Sequence, residues 1–194
     1  RLLDEQDGLA RQLLDNAVFY VVPNMNPDGS ARGHLRTNAV GTNLNREWAT
    51  PTPEKSPEVL FVLRAMESAG VDMYLDLHGD EALPYNFVAG GEGNPSYNDE
   101  IKASEDTFKS ALLNATPEFQ DEFGYDKDAP GKANLTVASN AVGEKFTCMA
   151  YTVEMPFKDN ADLPDKLYGW SVQRSEQLGE DLLIAVNAVV NALK

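Results

Sequence analysis

His78, one of two histidines in the chain, follows an alternating run, VDMYLDL at residues 71–77, and precedes Gly79, Asp80 and Glu81. A strand fixes a side chain and the loop after it exposes that side chain, so α/β proteins place reacting groups and metal ligands at such points. An imidazole there can ligate a metal, move a proton near neutral pH, or simply satisfy hydrogen bonds. A carboxylate holds the matching place on a second apolar run. Period-two alternation puts Cys148, Ala150, Thr152 and Glu154 on one face, with Glu154 at the strand end. A third group is rich in arginine: RGHLRTNAVGTNLNREW supplies Arg32, Arg36 and Arg46 within an otherwise acidic chain. A guanidinium fork suits gripping a carboxylate or polarising a carbonyl; the alternative is that these arginines pair with neighbouring acids. Asp76 shares the pleat face of His78, and is expected to face solvent rather than to support the imidazole.

The elements that position these groups read as an alternation of strands and helices. Residues 1–15 place Leu2, Leu3, Leu9, Leu13 and Leu14 at roughly helical spacing, interrupted by Gly8 and with no cap before Arg1. The apolar run at residues 18–22, ending at Pro23, predicts a buried strand. Residues 24–53 form a polar segment too long for a mere connection, in which NMNPDG reads as a turn. A helix follows with Ser56 as N-cap, Pro57 in its first turn and Gly70 past its end. It leads into the strand that carries His78. A strand at residues 85–89, an exposed amphipathic helix at 96–119, a helix near 134–142, the strand at 148–153 and a long helix at 166–194 complete the chain. This order predicts an α/β fold: three α/β/α layers with a mostly parallel or mixed central sheet.

Composition narrows the function classes. The 16 Lys and Arg against 31 Asp and Glu leave a formal charge of −15, which argues against nucleic acid and anionic membrane as partners. No run of apolar residues is long enough to span a bilayer, and no signal peptide is visible. A single cysteine, Cys148, rules out an intrachain disulfide and fits a reducing compartment, so a cytoplasmic location is expected. The first residue is Arg1 rather than Met, so a processed or truncated polypeptide is expected.

The motifs occur in a telling order: NPDG at 26–29, Arg36, Asn45 and Arg46 in NLNREW, His78 in DLHGDE, and Glu154 in TVEMPFKD. This order resembles the zinc metallocarboxypeptidases of the M14 type, most closely their cytosolic carboxypeptidase branch. The resemblance runs from about residue 24 to residue 159, and no motif is recognised between 94 and 147. It implies a zinc-dependent hydrolase that removes C-terminal amino acids from peptides or proteins. His78 would be the third ligand of one Zn2+, and Asn45 with Arg46 the clamp for the substrate's terminal carboxylate. Arg36, nine residues before Asn45, would bind the substrate at its scissile carbonyl and stabilise the oxyanion, and Glu154 would be the general base. The chemistry is coherent: zinc lowers the pKa of water towards about 7, a carboxylate takes the proton, and a cation offsets the oxyanion. Acidic C-terminal residues such as glutamate are a substrate class the branch suggests. Tyr125 is a candidate for a mobile substrate-site tyrosine, with a packed aromatic equally compatible. Lys132 and Lys145 are weaker candidates for neutralising an acidic side chain.

One part of the pattern is missing. The family takes its first two zinc ligands from a His-x-x-Glu motif upstream of NPDG, and no such motif occurs there; His34 is followed by Leu35, Arg36 and Thr37. His78 to Glu81 spells His-x-x-Glu, but would then need a later histidine, and none exists. The expectation is therefore a single catalytic domain over residues 1–194 that lacks its N-terminal strands, with two further ligands upstream of Arg1. Such a polypeptide alone would be inactive, show an open sheet edge, and associate with its own missing segment. Two other readings stay open: an aspartoacylase-like zinc amidohydrolase acting on small acyl amino acids, and a non-catalytic module that binds C-termini.

Overall fold

The computed structural model describes residues 1–193; Lys194, the end of the expected last helix, lies outside the described residues. The elements are α1 (Gly8–Asn16), α2 (Pro27–Arg32), α3 (Pro57–Ala69), β1 (Met73–Asp80), β2 (Phe87–Ala89), α4 (Asp99–Ala115), α5 (Ala138–Phe146), β3 (Met149–Pro156) and α6 (Val172–Val189). Short 3₁₀ turns cover Leu44–Arg46 and Val190–Ala192. The sheet order is β1-β3-β2, with β1 parallel and β2 antiparallel to β3, so the sheet is mixed.

Alternation along β3 builds the three layers. Met149, Tyr151 and Val153 pack with Leu13 of α1, Phe108 and Leu112 of α4, and Leu182 and Val186 of α6. Cys148 packs on the opposite face with Val59 and Leu63 of α3 and Val142 of α5, beside Leu44 and Trp48. Glu154 and Thr152 therefore lie on the α3/α5 side, at the C-terminal end of the strand.

Several local expectations are corrected. The first helix begins at Gly8, because Asp7 caps it by accepting from the backbone N–H of Leu9 and Ala10. NPDG is no isolated turn: Asn26 caps α2 by accepting from Gly29 N–H, and Pro27 starts it, since a missing N–H costs nothing in a first turn. Residues 18–22 form no strand. Val18, Tyr20, Val21 and Val22 are exposed and only Phe19 packs on the core, because a strand exists by pairing and no described segment pairs with this one. The fifth helix starts at Ala138 rather than near 134. Asn134 accepts instead from Thr136 N–H, and the cap for Ala138 N–H arrives from Asn45 Oδ1 at 2.8 Å. The edge of β1 away from β3 has no partner strand among the described residues, and Leu77 is 57% exposed on it.

The helix at 99–115 is less exposed than its alternating charges suggest, because Ile101, Glu105, Phe108 and Leu112 turn inward. Glu105 accepts from Tyr97 O–H at 2.8 Å and faces Gly91 N–H at 3.4 Å. Burial pushes its carboxyl up to about 7; the Tyr97 hydrogen bond opposes this and Glu92 adds to it. The folded protein thus keeps a proton that the unfolded chain releases near the usual glutamate value. Glu105's stabilisation is complete below that value and is lost as pH rises through about 7. Replacing Glu105 with Gln, which mimics the protonated form, is expected to raise the melting temperature by about 3–8 °C at pH 8 and to leave it nearly unchanged at pH 4.5. Thermal melts in which the gap between the two proteins does not widen with pH contradict this assignment.

Candidate active site

The parallel register of β1 and β3 sets His78 directly beside Glu154 and Asp76 beside Thr152. Paired positions in a parallel ladder project to the same face, so two strand ends present an imidazole and a carboxylate side by side. His78 Nδ1 lies 3.8 Å from Glu154 Oε1, and His78 Nε2 lies 2.9 Å from Asp76 Oδ2. The solvent-facing expectation for Asp76 is therefore corrected: it orients the imidazole from behind and leaves Nδ1 turned into the site. Burial alone disfavours the imidazolium, but Asp76 and then Glu154 outweigh it, so the His78 pKa is raised.

Glu154 is 3% exposed. Burial raises its pKa; His78 and the Tyr125 hydroxyl oppose this, while Asp80 and Asp76 add to it. Tyr125 O–H lies 2.9 Å from Glu154 Oε1 and 2.6 Å from Asp80 Oδ2, so this tyrosine is part of the site. Its ring meets Phe87 edge-on at 4.9 Å. Glu154 Oε2 is buried with no hydrogen-bond partner in the structure. A bare buried carboxylate oxygen is rare in native proteins.

The arginines separate by role. Arg36 reaches from the loop after α2 to Glu81 Oε1 at 3.2 Å, and its charge is felt at both His78 and Asp80. Arg46 is exposed, its Nη1 donating to the carbonyl of Asn45 at 2.5 Å. Asn45 is locked by its cap on α5, and α5 is tied to β3 through Ser139 and Thr152, whose hydroxyls lie 2.9 Å apart two residues before Glu154. A chain of short contacts thus holds Arg46 relative to the base. Arg32 only approaches Ala39 O, and His34 turns to Thr37 O. Lys145 pairs with Glu67 at 2.7 Å, and Lys132 is exposed.

Asp80 is the residue the sequence reading missed. It is buried, its Oδ1 accepts from Ala82 N–H and Leu83 N–H, and its carboxyl is held low: burial opposes this, but Tyr125 and the two backbone donors outweigh it. The signal was present in the alternation of Asp76, His78 and Asp80 along one pleat face.

His78, with Asp76 behind it, is suited to bind zinc through Nδ1. Among the described residues no group of three or more His, Cys, Asp or Glu side chains is placed to hold a metal, so this set offers one ligand rather than a complete site.

Several known proteins are similar to this chain in sequence and fold. An uncharacterized protein of Zymomonas mobilis is 50% identical over 196 residues, covering 100% of this chain and 51% of that protein. Cytosolic carboxypeptidase 6 of Caenorhabditis elegans is 25% identical over 161 residues, covering 80% of this chain and 35% of that one. The fold superimposes on a metallo-carboxypeptidase from Pseudomonas aeruginosa solved in complex with (2-guanidinoethylmercapto)succinic acid, with TM-score 0.96 and 48% identity, covering 98% of this chain and 51% of that one. A metallo-carboxypeptidase from Burkholderia cenocepacia gives TM-score 0.93 and 49% identity, covering 96% of this chain and 49% of that one. The chain spans about half the length of these structural relatives. The family model described as zinc carboxypeptidase, peptidase M14, matches residues 1–178, so the chain belongs to the zinc carboxypeptidase family.

Proposed function

We propose that this chain is the catalytic half of a metallocarboxypeptidase that hydrolyses the C-terminal residue of a peptide or protein. The observation that carries the reading is the side-by-side placement of His78 and Glu154 at two parallel strand ends, with Arg36 near enough for its charge to be felt at His78 and Arg46 exposed. In this reading Arg46, positioned through Asn45, receives the terminal carboxylate, and Arg36 offsets the charge that develops on the scissile carbonyl oxygen. Glu154 takes a proton from the attacking water and passes it to the leaving amine. His78 is one ligand of the zinc ion, which when bound supplies Lewis acidity.

The reading extends to sequence outside residues 1–194. We place the remaining zinc ligands there, and with them the segment that covers the open edge of β1 and the exposed apolar side chains of residues 18–22; the polypeptide 1–194 alone is then inactive. A cytoplasmic location follows the name of the cytosolic carboxypeptidase relatives, and acidic C-terminal residues are proposed as substrates on the resemblance of the motifs alone. Among the described residues no helix is long and apolar enough to cross a membrane.

The experiment compares free and C-terminally amidated peptides with the zinc-loaded full-length gene product. Amidation is expected to lower kcat/KM by at least about 100-fold, because it leaves the arginine clamp without its anion. Arg46→Ala should remove most of that discrimination. Equal turnover of both peptides, or preferential cleavage of acylated amino acids, would replace this reading with the amidohydrolase one. Binding without turnover would support the pseudoenzyme. A panel of C-terminal residues in the same assay tests the acidic preference.

A further inference from the structure

The contact between Tyr125 and Glu154 depends on a residue to which neither the motifs nor the family match assigns a part. Tyr125 lies in a stretch without regular structure between α4 and α5, and its side chain is about half exposed. Its ring meets Phe87 edge-on at 4.9 Å. Asp80 is the opposite kind of residue. It is the last polar position of β1, 7% exposed, and the backbone N–H groups of Ala82 and Leu83 converge on Oδ1 at 2.6 Å. Phe157 N–H donates to its carbonyl at 3.0 Å, and the Phe157 ring packs so close that a Cβ on Gly79 would approach it to 2.6 Å. With Oδ1 engaged by the backbone, Oδ2 faces the Tyr125 hydroxyl at 2.6 Å, and that hydroxyl reaches Glu154 Oε1 at 2.9 Å.

We propose that Asp80 is a positioning residue for the general base: it holds the Tyr125 hydroxyl, whose one proton is shared between Asp80 Oδ2 and Glu154 Oε1, and so fixes the Glu154 carboxylate rotamer beside His78. The proposal rests on the carboxypeptidase reading for its kinetic consequence, but not for the Asp80–Tyr125–Glu154 link itself. Asp80→Asn turns the link around. The amide oxygen stays with the two backbone donors, so the amide N–H₂ donates to the phenol oxygen, and the one phenol proton goes wholly to Glu154 Oε1, which makes that carboxylate a weaker base.

The test uses the zinc-loaded full-length gene product labelled with 3-fluorotyrosine, the Tyr125 resonance being the one lost in Tyr125→Phe. Asp80→Asn and Glu154→Gln are each expected to move that resonance. Asp80→Asn and Tyr125→Phe should each lower kcat by about tenfold with KM changed by less than about threefold, and the double variant should be no slower than the slower single one. An unmoved resonance in Asp80→Asn overturns the proposal, as do single effects that multiply in the double variant. Should the wild-type protein turn over no peptide, the carboxypeptidase reading fails, and the fluorine resonance still decides the link. Should Asp80→Asn fail to fold, Tyr125→Phe, which keeps its ring on Phe87, carries the kinetics: a kcat within about twofold of wild type overturns the proposal.

Discussion

Replacing Glu154 with Gln in the zinc-loaded full-length protein is expected to lower kcat by roughly 10²–10⁴-fold while leaving peptide affinity nearly unchanged. The substitution is close to isosteric, and its amide oxygen can still accept from the Tyr125 hydroxyl now 2.9 Å from Oε1. What it removes is a basic oxygen. Oε2 is buried and has no partner in the structure, so the substitution breaks no bond at that oxygen. Fold stability should hold or rise, because burial already disfavours the charged form of this side chain. Arg46 is held through the link from Asn45 to α5, which Glu154 does not join, so binding of the terminal carboxylate should persist. Steady-state kinetics together with calorimetric peptide binding checks both halves. A kcat within about tenfold of wild type would remove Glu154 from the role of base.

The second large effect is on stability. Arg174→Ala is expected to cost about 2–3 kcal/mol, more than the loss of an exposed ion pair and less than the loss of one partner of a fully buried one. Arg174 stands in the first turn of α6, 15% exposed at its side chain. Its Nε and Nη2 donate to the two oxygens of Glu118 at 2.8 and 2.5 Å. Nη1 donates to Asp159 Oδ1 at 3.0 Å and to Gly169 O at 3.1 Å, and Nη2 also reaches Leu163 O at 2.8 Å. The guanidinium lies over the Trp170 ring, 4.8 Å from its centre. One side chain thus joins the end of α4's connection, the segment leaving β3 and the loop before α6. Removing it strands Glu118 and Asp159 near buried Asn160, which itself donates to Glu118 Oε2 at 2.9 Å. Lysine should rescue little, because a point charge cannot reproduce the planar fork. Urea unfolding measures the loss; a difference below about 1 kcal/mol would mean that the pairs are solvated in solution.

The parts of this architecture that were legible in the sequence are those set by neighbours along the chain. Pro57 and Gly70 bracket α3 because a helix start and a helix stop are decided within one turn; Ser56 holds the N-cap position, but its hydroxyl bonds Thr52 N–H and Glu47 instead of capping the helix. Alternation placed His78 and Glu154 at strand ends for the same kind of reason: side chains of a strand change faces at every residue. The failures share a cause as well. The start of α5 depends on Asn45, 93 residues away. Residues 18–22 carry a strand's composition without a described partner, and composition does not supply the second half of a ladder.

Residue types and motif order by themselves determined the fold class, the family, and which imidazole, carboxylate and arginines were available for chemistry. Only the tertiary structure decided that His78 stands beside Glu154 in register, that Asp76 backs the imidazole, and that Asp80 meets a tyrosine 45 residues further on. Periodicity along one strand says which face a side chain takes. Which remote side chain it meets there depends on strand register and on the course of loops, and those follow from the energy of the whole packed assembly rather than from any local stretch.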